Sequence, residues 1–235
     1  MSDYFNNTEW KAQRLGKFTA SEIYKLLKGG RKKDELFGQT ALTYINEKIA
    51  EILTGEAPEL TNIKALEWGS ANELDAVLLF SQQHHETVEN FGTGNPQFFP
   101  FHAIAGGSPD ALTATAVIEV KCPWNSANHV DFLKAARTMA THGEWLHDNK
   151  EEYWAQIQFN MICCGKDTGF LVSYDPRVIQ PEHRLAILSI EKDGTFHGEI
   201  VTRLDAAKNI VLSTLNSFET ADSEPEAITL QPINS

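Results

Sequence analysis

Three residues in one short stretch carry side chains suited to metal-assisted chemistry: Asp110, Glu119 and Lys121. Asp110 ends a Gly-Gly-Ser-Pro-Asp segment, and Glu119 and Lys121 lie two residues apart in an apolar run. Residues i and i+2 of a β-strand point to the same face, so we expect the carboxylate and the ammonium side by side. Burying such charges is costly unless they are paired or hold a metal. Two hard oxygen ligands and one cation suit Mg²⁺-assisted attack on a phosphodiester.

A second interpretation of this triplet is purely structural. Glu119 and Lys121 can form an ion pair on a strand whose other face carries Ile118, Val120 and Cys122. Asp110 would then be only a turn residue. The triplet by itself leaves both interpretations open, so the rest of the chain has to distinguish them.

Composition excludes several classes of protein. The 235 residues are enough for one sizeable domain with a full core. The chain has no apolar run long enough for a membrane span and no signal-peptide pattern after its first residues, MSDYFNNTEW, so we expect a soluble, cytoplasmic protein. Its three cysteines, two of them adjacent, cannot form a disulfide framework, a CxxC zinc site or a four-thiolate cluster. We expect them to be buried and reduced.

Charge is distributed unevenly along the chain. The formal net charge is −12, yet residues 11–33 contain eight basic side chains and one acid, Glu22. The basic residues are Lys11, Arg14, Lys17, Lys25, Lys28, Arg31, Lys32 and Lys33. This asymmetry predicts a basic face that contacts phosphates on an otherwise acidic body. Solvated helix charges are the alternative.

Hydrophobic periodicity predicts helices first and then a mixed sheet with helices packed on it, a single α/β domain over residues 1–220. Thr19 to Glu22 has capping-box spacing, which predicts a helix through Leu27. Further helices are predicted at 38–54, 64–84, 127–140, 151–164 and 203–218. Strands are predicted at 98–105, 116–122, 168–174 and 185–191, with a turn at 193–194. The acidic, polar tail at 221–235 is predicted to be disordered.

Five residues outside the triplet are further candidates. Glu73 lies in a helix of small and apolar residues, where it either faces the metal site or is an exposed acid. Arg14 and Ser21 bracket the start of the first helix and suit a terminal phosphate, although Ser21 can also be only a local cap. Gln156 and Gln158 lie on an apolar helix and need partners if buried. Those partners are DNA, a water at the metal site, or nearby loops.

The order of these motifs resembles the phage λ exonuclease family, also called YqaJ-type viral recombinases. The resemblance covers about residues 8 to 200. Its motifs are Arg14-Leu15-Gly16, Thr19-Ala20-Ser21-Glu22, Trp68-Gly69 to Glu73, Ser108-Pro109-Asp110, Glu119-Val120-Lys121-Cys122-Pro123, Gln156-Ile157-Gln158 and Tyr174-Asp175-Pro176-Arg177. Each motif is weak alone, but together and in this order they are specific.

The resemblance implies a restriction-endonuclease-like core of the PD-(D/E)xK superfamily, a mixed central sheet flanked by helices, with N-terminal helices added. It also implies a Mg²⁺-dependent exonuclease that degrades the 5′-ended strand of linear duplex DNA to mononucleotides and leaves 3′ overhangs for homologous recombination. Mn²⁺ is an alternative metal, and two ions are expected. Relatives form ring-shaped homotrimers and work with a phage single-strand annealing protein, so this chain is expected to be a phage or prophage protein in a bacterial host.

The same resemblance implies individual roles. Asp110, Glu119, the Val120 carbonyl and Glu73 would hold metal, and Lys121 would orient or deprotonate the attacking water. Gln156 would position a group near the metal. At the DNA end, the 5′ phosphate would bind Arg14 and Ser21, Leu66 would separate the strands unless it is core, and Gln158 would contact DNA.

Two other functions remain compatible with the sequence. An endonuclease of the same superfamily, of the restriction or junction-cleaving type, would share the metal-binding strand but would cut circular DNA. A non-catalytic protein that binds DNA ends would retain the fold without releasing mononucleotides.

Overall fold

The computed structural model describes residues 8–32, 34–58, 63–92, 95–138 and 141–221. The N-terminal part is mostly helical. Its elements are α1 (Thr8–Arg14), β1 (Phe18–Thr19), a 3₁₀ helix (Ala20–Leu27), α2 (Gln39–Thr54) and α3 (Ile63–His84). The helix α2 ends at Gly55, whose φ of +70° lies in the left-handed region that glycine adopts without steric cost. The helices predicted at 38–54 and 64–84 are confirmed.

Seven further strands are described: β2 (Glu89–Asn90), β3 (Phe99–His102), β4 (Ala105–Gly107), β5 (Ala111–Leu112), β6 (Ala116–Lys121), β7 (Thr168–Tyr174) and β8 (Leu185–Glu191). Five of them form the main sheet, in the order β2-β5-β6-β7-β8. The central strand β6 is antiparallel to β5 and parallel to β7. The result is a mixed sheet flanked by helices, which confirms the predicted α/β class.

A smaller sheet has the order β1-β4-β3. We predicted one strand at 98–105, but the chain forms the antiparallel pair β3 and β4 with a tight turn at Ala103 and Ile104. This turn has none of the glycine, proline or asparagine signals that mark turns in a sequence. In the smaller sheet Phe18 pairs with Ala105 and Thr19 with Gly106. The chain around Arg14 and Ser21 is thereby placed beside the segment that leads to Asp110.

Four helices complete the fold: α4 (Ser126–Thr138), α5 (His142–Asn149), α6 (Glu151–Cys164) and α7 (Gly194–Ala221). Helix α5 was not predicted, because Leu146 is its one buried residue and its sequence is mostly polar. The last helix begins at Gly194 and not at 203. A carboxylate oxygen of Asp193 accepts the backbone N–H groups of Thr195 and Phe196, so Asp193 caps α7.

Both faces of the main sheet are covered. Helix α6 packs on one face, against β6, β7 and the 3₁₀ helix. The hydrophobic core on this face includes Val117, Ile157 and Leu171. Helix α3 packs on the opposite face, with a core that includes Val77, Phe80, Ile118 and Val172. Odd-numbered residues of β6 therefore face α6, and even-numbered ones face α3.

One local prediction is wrong. The capping box at Thr19 does not form: Thr19 lies in β1, makes no side-chain cap, and donates its N–H to Tyr44 Oη at 3.2 Å. The apolar side chains of α3 are only partly buried. Val77 and Phe80 are core, whereas Leu74 and Leu78 are about half exposed, because only one narrow face of α3 contacts the sheet.

No helix in the described ranges combines the length and apolar composition needed to cross a bilayer. The predicted tail at 221–235 lies, beyond Ala221, outside the described residues. The predicted single domain over residues 1–220 remains a prediction.

Candidate active site

The strand β6 places Glu119 and Lys121 side by side, as the two-residue spacing predicts. Lys121 Nζ donates to Glu119 Oε1 at 2.8 Å. Ile118 and Val120 of the same strand pack on the α3 face. The alternation of the strand therefore directs both charged side chains toward α6.

Helix α6 supplies the other partners of Glu119, which is only 2% exposed. Gln156 Nε2 donates to Glu119 Oε1 at 2.5 Å, and Asn160 Nδ2 donates to Glu119 Oε2 at 2.9 Å. Gln156 Oε1 accepts from Lys121 at 3.0 Å. Three N–H donors thus hold the buried carboxylate in one orientation, as expected of a carboxylate positioned for chemistry.

Asn160 is a site residue that the sequence analysis did not identify. It is fully buried and lies four residues after Gln156, on the same helix face. Its Oδ1 has no hydrogen-bond partner among the described residues and lies against Gly107, where an added Cβ would approach it to 2.3 Å. The i, i+4 spacing from Gln156 is the signal that could have found it.

Asp110 is fixed beside β6 by backbone and side-chain bonds. Its N–H donates to the Ile118 carbonyl at 3.2 Å, and its Oδ2 accepts the Val120 N–H at 2.6 Å. Burial, together with the negative charges of Glu119 and Glu73, raises the pKa of Asp110 well above its usual range. The geometry therefore brings Asp110 to the Glu119–Lys121 pair, so it is more than a turn residue.

Glu73 reaches the same site from α3. Burial and the charge of Glu119 raise the pKa of Glu73 to about 7. Its Oε1 is buried without a hydrogen-bond partner among the described residues. A Cβ on Gly92 would lie 1.8 Å from this oxygen, so a larger residue there would displace the Glu73 carboxylate. Of the two interpretations of Glu73, the exposed acid is excluded.

Among the described residues, Lys121 is the basic side chain that lies within this carboxylate cluster. Burial favours the neutral amine, but Glu119 and Asp110 outweigh it and raise the pKa of Lys121 above its usual value. The ammonium also lies 4.8 Å from the centroid of the Tyr153 ring, within cation–π range. Lys121 is therefore protonated at neutral pH in this arrangement.

The chemistry of the cluster fits a hard divalent cation. Asp110, Glu119 and Glu73 offer carboxylate oxygens, which Mg²⁺ prefers, against the single ammonium of Lys121. The unpartnered Glu73 oxygen and the raised pKa values of Glu73 and Asp110 indicate uncompensated negative charge. Within the described ranges, no three His, Cys, Asp or Glu side chains form a ready-made metal-binding group. The cluster thus suits a divalent cation by its negative charge and its oxygen ligands, and not by a preformed coordination geometry.

A second group of polar residues adjoins the turn before Asp110. Arg14 Nη1 and Trp10 Nε1 each donate to Ser108 Oγ at 3.1 Å, and the Arg14 guanidinium lies 4.4 Å from the Trp10 ring. Ser21 is exposed, with its Oγ 3.4 Å from Thr19 Oγ1. The structure therefore connects Arg14 directly to the Ser-Pro-Asp segment, with Ser21 on the neighbouring strand-to-helix junction.

A buried ion pair in α2 holds this second group. Lys48 Nζ and Glu51 Oε1 are 2.6 Å apart, and both side chains are under 10% exposed. Glu51 Oε2 accepts the N–H of Gly16, whose φ is +68°. The loop between Arg14 and Thr19 is consequently anchored at Gly16 by a buried carboxylate.

Gln158 and Leu66, the remaining predicted site residues, lie outside the carboxylate cluster. Gln158 is 1% exposed, donates to the Glu191 carbonyl and accepts the Asp193 N–H, so it ties α6 to the loop before α7. The expectation that Gln158 contacts DNA is not supported, because an i, i+2 helical spacing directs it away from Gln156. Leu66 is 39% exposed near the start of α3, which excludes a core role for it.

The basic segment is less strongly positive than its sequence implies. Lys25 pairs with Glu22 and lies 3.9 Å from Glu47, and Lys28 pairs with Glu151. Glu22 lies within the segment itself, whereas Glu47 and Glu151 come from α2 and α6, whose positions beside the segment are set by the tertiary fold. The predicted basic face is thus partly neutralised within the fold.

All three cysteines are free thiols. Burial raises the pKa of Cys122 and of Cys164 to about 12 in each case. The cysteines were predicted to be buried and reduced, but each is only partly buried.

Comparison with known proteins identifies the class. The family model for the YqaJ-like viral recombinase domain matches residues 9–167, so the chain belongs to this family, as the order of its motifs predicts. No curated protein matches the chain.

Solved structures agree with this assignment. An alkaline exonuclease from Laribacter hongkongensis is 28% identical, with a TM-score of 0.72, and the match covers 92% of this chain and 97% of that one. Its complex with dAMP matches at 28% identity over the same shares, with a TM-score of 0.73. A phage-related exonuclease from Haemophilus somnus shares the fold at 17% identity, with a TM-score of 0.69, over 86% of this chain and 96% of that one.

Proposed function

We propose that this protein is a Mg²⁺-dependent exonuclease that degrades the 5′-ended strand of linear duplex DNA to mononucleotides and leaves 3′ single-stranded overhangs for recombination. The observation that carries the proposal is the cluster of Asp110, Glu119 and Glu73 around Lys121. Family membership and the likeness to an exonuclease solved with a bound mononucleotide support it.

In this proposal Asp110, Glu119, the Val120 carbonyl and Glu73 hold the metal. Bound there, one or two Mg²⁺ ions, or Mn²⁺, would activate water and offset charge on the phosphate. Gln156 and Asn160 keep Glu119 oriented, and Gln156 also holds Lys121. Lys121, whose ammonium is bound by Glu119 and Gln156, would orient the attacking water and stabilise the negative phosphate oxygens of the transition state.

The DNA end would be bound beside this cluster. Arg14 and Ser21 would take the 5′ phosphate, and the Ser108 hydroxyl already bound by Arg14 lies two residues before Asp110. Leu66 presents an exposed apolar side chain for separating the strands. A homotrimeric ring and a single-strand annealing partner protein complete the proposal.

The experiment compares linear 5′-phosphorylated duplex with closed circular DNA, each with Mg²⁺ and with EDTA. Exonuclease activity predicts that only the linear DNA disappears, only with Mg²⁺, and that mononucleotides accumulate from the 5′-ended strand. Cutting of the circles would instead establish the endonuclease alternative. Absence of any digestion would indicate a protein that only binds DNA ends.

A further inference from the structure

An aromatic and cationic platform lies next to the carboxylate cluster and has no part in it. It consists of Trp68, Trp124 and Arg177. The Trp68 and Trp124 rings meet edge to face with centroids 5.8 Å apart, and the Arg177 guanidinium lies 4.4 Å from the Trp68 ring. Trp124 is 56% exposed, although large aromatic side chains usually bury most of their surface.

The platform is held in place by charged hydrogen bonds. Arg177 donates to both carboxylate oxygens of Asp175, from Nε at 2.8 Å and from Nη2 at 2.9 Å. It also donates to the backbone carbonyls of Pro123 and Trp124, at 2.9 Å in each case. Asp175 is itself fully buried. The exposed Trp124 ring is therefore presented on a rigid backbone.

Chain connectivity places this platform within reach of the reacting phosphate. Trp124 follows Lys121 by three residues, which span at most about 10 Å of extended chain. Trp68 precedes Glu73 by five residues of α3, about 7.5 Å along the helix axis. The Cα atoms that carry the two rings thus lie within about 10 Å of those of Lys121 and Glu73, which is about three base-pair steps along duplex DNA.

We propose that Trp124, supported by Trp68 and Arg177, stacks on a nucleobase at the end of the bound DNA. A rigid, exposed indole beside a guanidinium is the surface on which bases stack without regard to sequence. The occupant is a nucleobase because the platform adjoins the site proposed to cleave a phosphodiester. This inference rests on the proposed function for its ligand class and assigns a positioning role.

The experiment uses a 5′-phosphorylated duplex with 2-aminopurine at its 5′-terminal nucleotide, titrated with protein in EDTA so that no DNA is consumed. Stacking on Trp124 quenches the fluorescent base. We expect Trp124→Ala to lose this quenching and to weaken binding of the duplex end by about five- to a hundredfold, the range for one base stacked on an aromatic ring. Trp124→Phe should retain most of both.

The control variant is Phe218→Ala, which removes an aromatic side chain of similar exposure, 49%, near the end of α7. It should bind and quench like the wild type. Because Trp124 is more than half exposed, its truncation leaves little cavity, and a thermal melt checks that the variant folds.

Wild-type quenching and affinity in Trp124→Ala would overturn the inference. Altered sedimentation of that variant with unchanged DNA binding would also overturn it and would assign the ring to a protein contact. Digestion of linear DNA by the wild type tests the proposed function separately. If Trp124→Ala loses quenching and the wild-type protein does not digest linear DNA, base stacking is supported and the exonuclease proposal is refuted.

Discussion

Asn160 provides the sharpest test of how the site is built. Its Nδ2 is the only donor to Glu119 Oε2 found among the described residues, at 2.9 Å, and both side chains are at most 2% exposed. Hydrogen bonds to charged groups contribute about 1.5–3 kcal/mol, a factor of roughly ten to a hundred in an equilibrium constant. Loss of a residue that orients a metal ligand typically weakens metal binding by a similar factor, about 10–100-fold.

We therefore expect Asn160→Ala to raise the Mg²⁺ concentration at half-maximal activity about ten- to a hundredfold. In the proposed site Asn160 would orient Glu119 and would touch no reacting atom, so the maximal rate at saturating Mg²⁺ should change much less. Isothermal calorimetry of Mg²⁺ binding without DNA should show the same loss of affinity. Alanine is the suitable replacement because it removes the Nδ2 donor and adds no other polar group at this buried position.

Gln158→Ala is the matched control. Gln158 is equally buried on the same helix but bonds to the Glu191 carbonyl and the Asp193 N–H. Its truncation should lower stability without moving the Mg²⁺ midpoint. If Asn160→Ala leaves that midpoint unchanged, or shifts it only as far as Gln158→Ala does, then Asn160 does not orient a metal ligand.

Three further outcomes are expected. Lys121→Ala should lower the rate of mononucleotide release by orders of magnitude. A filter-binding assay should show an affinity for DNA ends within about threefold of wild type. A wild-type rate of release would exclude Lys121 from the reaction. Glu51→Ala should lower the free energy of unfolding in urea by about 3–5 kcal/mol, because it leaves the Lys48 ammonium buried and unpaired; a change under 1 kcal/mol would show that Lys48 reaches solvent. In Asp175, burial opposes ionisation, but hydrogen bonds from Arg177 and Ser126 outweigh it and lower the pKa to about 2. A carboxyl group with a depressed pKa stabilises the fold at pH values above its unfolded pKa of about 3.9, and this stabilisation is lost as the pH falls toward 2. Asp175→Asn should therefore lower the free energy of unfolding by about 1–2 kcal/mol at pH 7 and by about half as much at pH 3. Equal decreases at both pH values would contradict this.

The site was predictable where local periodicity decides geometry. A strand alternates with period two, so the spacing of Glu119 and Lys121 was enough to place them on one face. The helices at 38–54 and 151–164 end at Gly55 and Gly165, whose left-handed φ values are local properties of glycine. Neither inference required knowledge of a distant part of the chain.

Predictions of local structure and charge were wrong where a residue binds a distant part of the chain and not its sequence neighbours. Thr19 has capping-box spacing, but β4 and Tyr44 bind its backbone, so it becomes strand and not cap. The basic segment around Lys25 and Lys28 is neutralised by acids more than 20 and 120 residues away. The turn between β3 and β4 likewise depends on their pairing and not on turn residues.

The sequence by itself determined the strand that carries Glu119 and Lys121, the α/β class and the family. Only the tertiary structure decided that Glu73 faces the site, that Gln156 binds both members of the pair, and that Asn160 belongs to it while Gln158 does not. The physical reason is that a polar residue on a buried helix needs a partner, but its sequence does not say which strand or loop supplies it. Packing of α6 and α3 on opposite faces of the sheet makes that choice.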